Sequence, residues 1–204
     1  MIDRDFLRLI AVTDNIRDGQ SGLIGRASAA VRGGATCVQL RLKDVSARDL
    51  VGVARELVRS VGVPVIVNDR ADVAVASGAA GVHLGPDDVP ARAVRLMVPE
   101  GFIIGASVGS HAEVDLSRDA DYVGIGPVFS TASKSDAGGP IGPEEFSRLA
   151  VATGLPAVAI GGVTAGNAAL AMAAGAAGVA AIASLMGARD PSAAARALLS
   201  AIGK

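Results

Sequence analysis

This chain has few aromatic residues and no excess of positive charge, and both features argue against nucleic-acid partners. Only 2% of the 204 residues are aromatic, too few for the base-stacking surfaces of single-stranded nucleic-acid binders. The 19 basic and 20 acidic residues give a formal net charge of −1, so no basic field indicates nucleic acid. We therefore expect small-molecule substrates and no nucleic-acid partner.

Cysteine and histidine are also scarce. Cys37 is the only cysteine, which excludes an internal disulfide and is typical of a reducing compartment, so we expect a cytoplasmic protein. Because Cys37 lies in an apolar run, we interpret it as a small buried hydrophobe rather than a nucleophile. The two histidines, His83 and His111, are too few for a structural zinc site. We expect both to be structural rather than general bases.

Neither a signal peptide nor a membrane span is expected. The first five residues lack a basic head followed by a long apolar stretch. Residues 149–188 carry no charge and are numerous enough to cross a bilayer. Glycines, together with Pro156 and Asn167, divide this stretch into pieces that suit strands and one helix. We therefore predict no membrane association.

Short apolar runs alternate with helical stretches along the chain. Most of these runs lack polar alternation, which is typical of parallel strands covered on both faces; they are residues 7–13, 37–41, 64–68, 81–84, 102–107, 122–126, 156–160 and 178–182. Residues 46–60 and 164–174 are predicted helices, the first with Ser46 as its N-cap. Gly–Ala turns at 33–35, 77–81 and 174–178 are expected to end helices and open strands.

This alternation predicts one α/β domain, residues 1–204, folded as a (β/α)₈ TIM barrel. An open doubly wound sheet is the alternative. It would normally have a glycine-rich turn after the first strand, where this chain has Thr13-Asp14-Asn15.

Positively charged side chains occupy the end of the second predicted strand. Gln39, Arg41 and Lys43 alternate, so they share one face of the strand and can point into the barrel mouth. Cations there need either a bound anion or a carboxylate of the chain itself, for which the candidates are Asp14, Asp44 and Asp69. We favour a bound anion, because a candidate metal site lies beside them.

That metal site combines the ends of the third and fourth strands. Asn68-Asp69 ends one and Asp88 follows the other. Taken singly, each aspartate is also a plausible helix cap. On adjacent loops of a barrel the two carboxylates suit Mg²⁺, which takes one or two carboxylates and leaves other positions to water and phosphate. The pattern favours a Mg²⁺-dependent diphosphate site.

A second phosphate site is predicted on the far side of the barrel. Gly161-Gly162 follows the seventh strand, and residues 178–184 complete the eighth. Barrels often bind phosphate on these two loops through backbone N–H groups. Residues 126–140 form the longest irregular stretch, which we interpret as a loop that closes over substrate.

These motifs, in this order, resemble the thiamine-phosphate synthase family over nearly the whole chain. The resemblance is carried by Gln39-x-Arg41-x-Lys43, Asn68-Asp69, His83-x-Gly85-x-x-Asp88, Gly105-x-Ser107, Gly126-Pro127-x-Phe129-x-Thr131-x-Ser133-Lys134 and Ile160-Gly161-Gly162. It implies a (β/α)₈ enzyme that condenses an aminopyrimidine-methyl diphosphate with hydroxyethylthiazole phosphate or its carboxylated form. Diphosphate is released, and the reaction is thought to pass through a pyrimidine-stabilised cation.

The resemblance also implies roles for individual residues. Ser107 would lie against the pyrimidine ring, while Asp69 and Asp88 would hold Mg²⁺. The diphosphate would be bound by Gln39, Leu40, Arg41, Leu42, Lys43, Asn68 and Lys134, of which Arg41, Lys43 and Lys134 are the implied catalytic residues. The thiazole phosphate would be bound by Thr131, Ala132, Ser133, Gly162, Ile182 and Ala183.

The chain departs from the family pattern at three places, and two alternative functions are considered. Ser130 replaces the family's proline, Val108-Gly109-Ser110 replaces the usual context after Ser107, and Ala183 replaces a serine, with Ser184 one place later. A non-catalytic phosphate-binding barrel would explain the changes at 130 and 183. A related thiazole tautomerase is disfavoured, because it carries histidine where this chain has Pro127 and lacks the paired aspartates. Whether the chain forms a homo-oligomer is left open by the sequence.

Overall fold

Eight parallel strands close into a barrel in which each strand pairs with the next in the sequence and the last pairs with the first. The computed structural model describes residues 4–13, 19–131 and 139–203. The strands are β1 Leu9–Val12, β2 Cys37–Leu40, β3 Val65–Asn68, β4 Gly81–Leu84, β5 Ile103–Val108, β6 Tyr122–Ile125, β7 Ala157–Ile160 and β8 Gly178–Ala181. The predicted barrel is confirmed, and the open sheet is excluded because it would leave two edge strands.

Helices cover the outside of the barrel. They are α1 Gly19–Arg32, α2 Ala47–Ser60, α3 Ala71–Ser77, α4 Ala91–Arg95, α5 Gly142–Thr153, α6 Ala168–Ala173 and α7 Pro191–Ala201. Short 3₁₀-helices, Arg4–Leu7 and His111–Ser117, precede β1 and follow β5. Within the described ranges, no helix is long and apolar enough to cross a membrane.

Local signals in the sequence set several helix ends. The Ser46 hydroxyl accepts the Asp49 N–H at 3.2 Å and caps α2 as predicted. The Gly–Ala turns are also confirmed, because Gly34, Gly78 and Gly175 all have positive φ angles where their helices end.

The predicted start of α6 at Thr164 is wrong, since the helix begins at Ala168. The Asn167 side chain explains the delay. Its Oδ1 accepts the Thr164 N–H at 2.8 Å, and its Nδ2 donates to the Gly162 carbonyl at 2.9 Å. Residues 164–167 therefore form a turn that belongs to the loop after β7, and only the residues that follow are free to be helical.

Two apolar cores lie on opposite faces of the sheet. The larger fills the space between strands and helices. The smaller, which we call the inner core, lies inside the barrel and comprises Phe6, Leu7, Ile10, Val12, Cys37, Ile66, Ile103, Tyr122, Val158, Ala180 and Ile182. Cys37 is buried as predicted, and burial raises the pKa of its thiol, which keeps it protonated and unreactive.

Gly178 is required where β8 meets the chain entering β1. A Cβ at this position would lie 2.0 Å from the Leu7 carbonyl oxygen and 2.7 Å from the Arg8 Cα. Both atoms belong to the backbone, so the clash cannot be relieved by a side-chain rotation.

We therefore expect Gly178→Ala to lower the free energy of unfolding by about 3 kcal/mol, the upper range for overpacking. Gly52→Ala is the matched control, because Gly52 lies in α2 with no atom within 4 Å of its Cβ position. It should stabilise the protein by up to about 1 kcal/mol through helix propensity. Urea unfolding of both variants measures the difference, and equal stabilities would contradict the close approach of β8 to residues 7–8.

Candidate active site

A cavity of about 580 Å³ opens at the carboxyl ends of the strands. It is lined by most of the described residues that the sequence singled out: Arg41, Lys43, Asn68, Asp69, Asp88, Ser107, Thr131 and Ile182. They come from loops that are distant in sequence but adjacent around the rim, because all strands run in the same direction. The structure therefore brings both predicted metal residues and part of the predicted diphosphate set, Arg41, Lys43 and Asn68, to one cavity.

Other predicted residues lie elsewhere. Gln39 lines a smaller space of about 20 Å³ inside the barrel, just below the large cavity. Leu40 and Leu42 pack on the core between strands and helices, so only their backbone groups could contact a ligand. Ala183 and Gly162 are not part of the cavity lining. Three predicted residues, Ala132, Ser133 and Lys134, lie outside the described residues, as does Asp14.

Thr13 fixes the position at which Arg41 leaves β2. Its buried hydroxyl accepts the Arg41 N–H at 2.8 Å and donates to the Arg41 carbonyl at 3.0 Å. The Thr13 N–H also donates to the Gln39 carbonyl at 2.9 Å. These bonds extend the β1–β2 pairing beyond the strands, so they hold the Arg41 side chain at the rim. The sequence placed Thr13 at a strand end but gave no sign of this role.

Asn68 is oriented from below by Gln39. The Gln39 side chain is buried, and its Nε2 donates to Asn68 Oδ1 at 3.2 Å. With Oδ1 engaged in this way, the Nδ2 group is the part of the Asn68 amide left to donate to a ligand. Because Asn68 lines the cavity, this arrangement suits recognition of an anion.

Neither aspartate of the predicted metal site is the N-cap residue of a helix. The N-cap residues of α3 and α4 are Arg70 and Pro90. Asp88 instead closes the turn after β4, with its Oδ2 accepting the Gly85 N–H at 2.6 Å. Asp69 has a left-handed backbone conformation, φ 65°. This conformation is uncommon for residues other than glycine and occurs more often at functional sites.

The donor set suits a metal that arrives with its ligand. Asp69 and Asp88 both line the cavity, yet the described part of the chain contains no group of three His, Cys, Asp or Glu side chains that could hold an ion. Two carboxylates fit Mg²⁺ when phosphate oxygens and water complete its coordination. They do not fit a permanently held structural metal.

The loops after β6 and β7 lie directly against each other. A Cβ on Gly162 would be 2.4 Å from the Ser130 carbonyl oxygen, and one on Gly161 would be 2.5 Å from the Pro127 Cα. The Phe129 N–H donates to the Gly161 carbonyl at 3.0 Å. The two glycines therefore permit close contact between the loop after β7 and residues 127–130.

Ser184 does not take over the role of the serine missing at position 183. Its hydroxyl donates to the Val163 carbonyl at 2.6 Å and so ties the end of β8 to the loop after β7. Among the hydrogen bonds of the described residues, none uses the backbone N–H of Gly162 or of Ala183. Backbone donors therefore remain on both loops at which a phosphate was predicted.

Sequence reasoning missed the surroundings of His83. This side chain is buried in the barrel, and its ring nitrogens lie 3.0 Å from Tyr122 Oη and 3.0 Å from Ser107 Oγ. The expectation that it is structural was incomplete, because Ser107 lines the cavity. His111, in contrast, is exposed and lies 3.4 Å from Glu145, far from any such network.

Known proteins resemble this chain in sequence, and a solved structure resembles it in fold. A sequence model described as thiamine monophosphate synthase matches residues 9–185. The thiamine-phosphate synthase of Roseiflexus sp. (strain RS-1) is 47% identical over 94% of this chain and 83% of its own length. The thiamine-phosphate synthase of Albidiferax ferrireducens is 42% identical over 96% of this chain and 93% of its own length. The structure of thiamine phosphate pyrophosphorylase from Pyrococcus furiosus superposes with a TM-score of 0.83 at 34% identity, covering 98% of this chain and 96% of that one.

The Thr13 hydroxyl offers a test of how the rim holds Arg41. We expect Thr13→Val to lower the affinity for inorganic diphosphate about tenfold, because the Arg41 backbone loses two bonds and the guanidinium is no longer held in place. Thr36→Val is the matched control. Thr36 Oγ1 makes similar bonds to the Leu9 N–H and the Phe6 carbonyl at the opposite end of the barrel.

Both variants should lose about 2 kcal/mol of stability, since each leaves buried backbone groups unsatisfied. Only Thr13→Val should lose affinity in calorimetric titrations with diphosphate and Mg²⁺. Equal affinities for the two variants would show that the Thr13 bonds serve stability alone.

Proposed function

The chain belongs to the thiamine monophosphate synthase family, and we propose that it condenses an aminopyrimidine-methyl diphosphate with a thiazole phosphate to give thiamine phosphate and diphosphate. The observation that carries this proposal is the convergence of two cations, one amide and two carboxylates on a single cavity: Arg41, Lys43, Asn68, Asp69 and Asp88. This set suits a diphosphate that binds together with a divalent cation.

The reaction exchanges one bond to the pyrimidine methylene carbon for another. The bond from this carbon to the diphosphate oxygen breaks, and the electron pair leaves with diphosphate. The lone pair of the thiazole nitrogen then forms the new carbon–nitrogen bond. No proton is transferred in either step, so no general base is needed. The protein contributes by stabilising charge on the leaving group and by holding the two substrates together.

Arg41 and Lys43 are proposed to stabilise that charge. Both line the cavity from the end of β2, and the Thr13 bonds hold the backbone at Arg41. Asn68 adds a neutral donor on the next strand. Lys134, which lies outside the described residues, is proposed as the third cation.

Mg²⁺ is the proposed cofactor, held by Asp69 and Asp88. When bound, it would neutralise charge on the departing diphosphate. Asp88 uses one carboxylate oxygen for the Gly85 N–H, which leaves the other oxygen for the metal and fixes the orientation of the carboxylate. Such an outer hydrogen bond is typical of protein metal ligands.

The thiazole phosphate is proposed to bind between the loops after β6, β7 and β8. Thr131 and Ile182 line the cavity there, and Gly162 and Ala183 contribute backbone N–H groups. Because these groups belong to the backbone, the replacement of serine by Ala183 removes a hydroxyl and leaves the N–H donor in place. We therefore do not expect this departure to abolish activity.

Two further properties complete the proposal. We propose that residues 1–204 form one domain that acts on small molecules. We also propose that it acts in the cytoplasm, because its single cysteine is a buried free thiol, as is typical of a reducing compartment. The tautomerase alternative is disfavoured by Pro127, which lines the cavity without any acid–base group.

The first experiment is an assay with both substrates and Mg²⁺. We expect thiamine phosphate and diphosphate to form in equal amounts with the purified wild-type chain. Formation of an isomerised thiazole phosphate without pyrimidine would support the tautomerase alternative. Binding of both substrates without turnover would support a non-catalytic barrel, and either result would overturn the proposal.

The second experiment tests the metal residues by calorimetric titration of the pyrimidine diphosphate with and without Mg²⁺. Asp69→Asn and Asp88→Asn should each weaken Mg²⁺-dependent binding at least tenfold, about 1.4 kcal/mol. Asparagine retains an oxygen for the Gly85 N–H, so the loop after β4 should survive. Without Mg²⁺, the variants should bind as well as the wild type or better, because one carboxylate charge is gone.

Asp72→Asn is the control for a general loss of negative charge, because Asp72 is exposed and pairs with Arg70 outside the cavity. It should leave Mg²⁺-dependent binding unchanged. If the two cavity variants behaved like Asp72→Asn, the assignment of Asp69 and Asp88 as metal ligands would be wrong.

A further inference from the structure

Three polar side chains form a line of hydrogen bonds from the inside of the barrel to the large cavity. Tyr122 Oη lies 3.0 Å from His83 Nδ1, and His83 Nε2 lies 3.0 Å from Ser107 Oγ. Tyr122 is only 2% exposed, so a ligand in the large cavity cannot contact it. Ser107 lines that cavity. The line thus joins an inaccessible phenol to an accessible hydroxyl.

The neighbouring strands make room for the two rings. Gly105 on β5 lies opposite both His83 and Tyr122 in the strand register. A Cβ there would be 2.3 Å from Tyr122 Cζ and 2.5 Å from His83 Nδ1. A Cβ on Gly124 of β6 would be 3.0 Å from His83 Cε1. The ring pair therefore fits only because two inward positions carry no side chain.

The buried phenol fixes the direction of the hydrogen bonds. Among the described residues, His83 is the only hydrogen-bond partner of the Tyr122 hydroxyl. The Phe6 ring meets the tyrosine edge to face, with centroids 5.8 Å apart, and the rest of the inner core is apolar apart from the Cys37 thiol, a weak acceptor. If Tyr122 accepted a proton from His83, its own O–H would be buried without a good acceptor, which costs about 1–3 kcal/mol.

Tyr122 therefore donates to Nδ1. Burial raises the pKa of the tyrosine well above its usual value, so the donor proton is retained. A neutral imidazole has one N–H, and with Nδ1 accepting, that proton is on Nε2. His83 consequently donates to Ser107 Oγ, and the Ser107 proton is left to point into the cavity.

We propose that Tyr122 and His83 are positioning residues that set the Ser107 hydroxyl as a hydrogen-bond donor toward an acceptor of the pyrimidine substrate. The acceptor is a ring nitrogen, since the exocyclic amino group donates. This inference rests on the proposed function for the identity of the ligand. The direction of the hydrogen bonds rests on the structure alone and can be tested without any ligand.

The ligand-free test is nitrogen NMR of the His83 imidazole in the wild type. We expect the tautomer with the proton on Nε2, and in Tyr122→Phe a shift toward the other tautomer, because the donor to Nδ1 is gone. A wild-type signal from the tautomer with the proton on Nδ1 would overturn the inference. This outcome is independent of turnover, so it is distinguishable from failure of the proposed function.

The functional test is a double-mutant cycle on the KM of the pyrimidine substrate, using Tyr122→Phe, Ser107→Ala and the double variant. Tyr122→Phe should raise this KM at least fivefold and leave the KM of the thiazole phosphate within twofold. In the Ser107→Ala background the same change should have less than a twofold effect. An equal effect in both backgrounds would show that Tyr122 acts through general packing and would overturn the inference.

Two further variants keep the cycle interpretable. Thr36→Val removes a hydrogen-bonded hydroxyl at the far end of the barrel and should lower stability without changing either KM. His83→Gln places an amide near the Nε2 position and loses the contact with Tyr122, so it should raise the KM of the pyrimidine substrate less than His83→Ala. If Tyr122→Phe failed to fold, this pair would serve in its place, and equal KM values for the two would overturn the inference.

Discussion

The inside of an eight-stranded parallel barrel has a fixed, small volume, and the rest of this structure depends on how that volume is filled. Closure of the sheet pairs every strand and leaves no edge. A large side chain pointing inward from one strand therefore has to be matched by a small one on its neighbour. Tyr122 and His83 face Gly105 for this reason. The same constraint places apolar residues at the bottom and polar residues at the top, where solvent and ligand can reach them.

Closure also explains why the site can be built from single residues at strand ends. The carboxyl ends of all eight parallel strands lie at the same end of the barrel, so a shared rim can be built from one or two side chains of each strand. Hydrogen bonds from neighbouring residues hold several of these side chains or their backbone in position. Thr13 supports Arg41, Gln39 supports Asn68, and Asp88 closes its own turn. These hydrogen bonds support Arg41, Asn68 and the turn after β4 among the described residues of the rim.

The sequence predicted the fold well because strands buried on both faces leave an unmistakable apolar run, and because glycine marked the helix ends. It also predicted the residues around the cavity, since parallel strands bring their carboxyl ends together. It could not predict contacts that depend on strand register. His83 and Tyr122 are 39 residues apart, and only the pairing of β4, β5 and β6 shows that they meet. Similarly, nothing in the sequence distinguished a helix beginning at Thr164 from a turn that Asn167 holds together.

The charge around the cavity favours the proposed joint binding of diphosphate and Mg²⁺. Among the described side chains that line it, two are cationic, Arg41 and Lys43, and four are carboxylates, Asp69, Asp87, Asp88 and Glu113. Glu113 is held by the Gly109 N–H at 2.7 Å. A free diphosphate would meet an excess of negative charge, and a free Mg²⁺ would meet only two suitably placed carboxylates, too few to replace its hydration shell. In the proposed complex, a diphosphate that carries Mg²⁺ would bring positive charge to Asp69 and Asp88 and negative charge to Arg41 and Lys43. The mixed signs at this rim thus favour the complex over either component, which a purely basic pocket would not do.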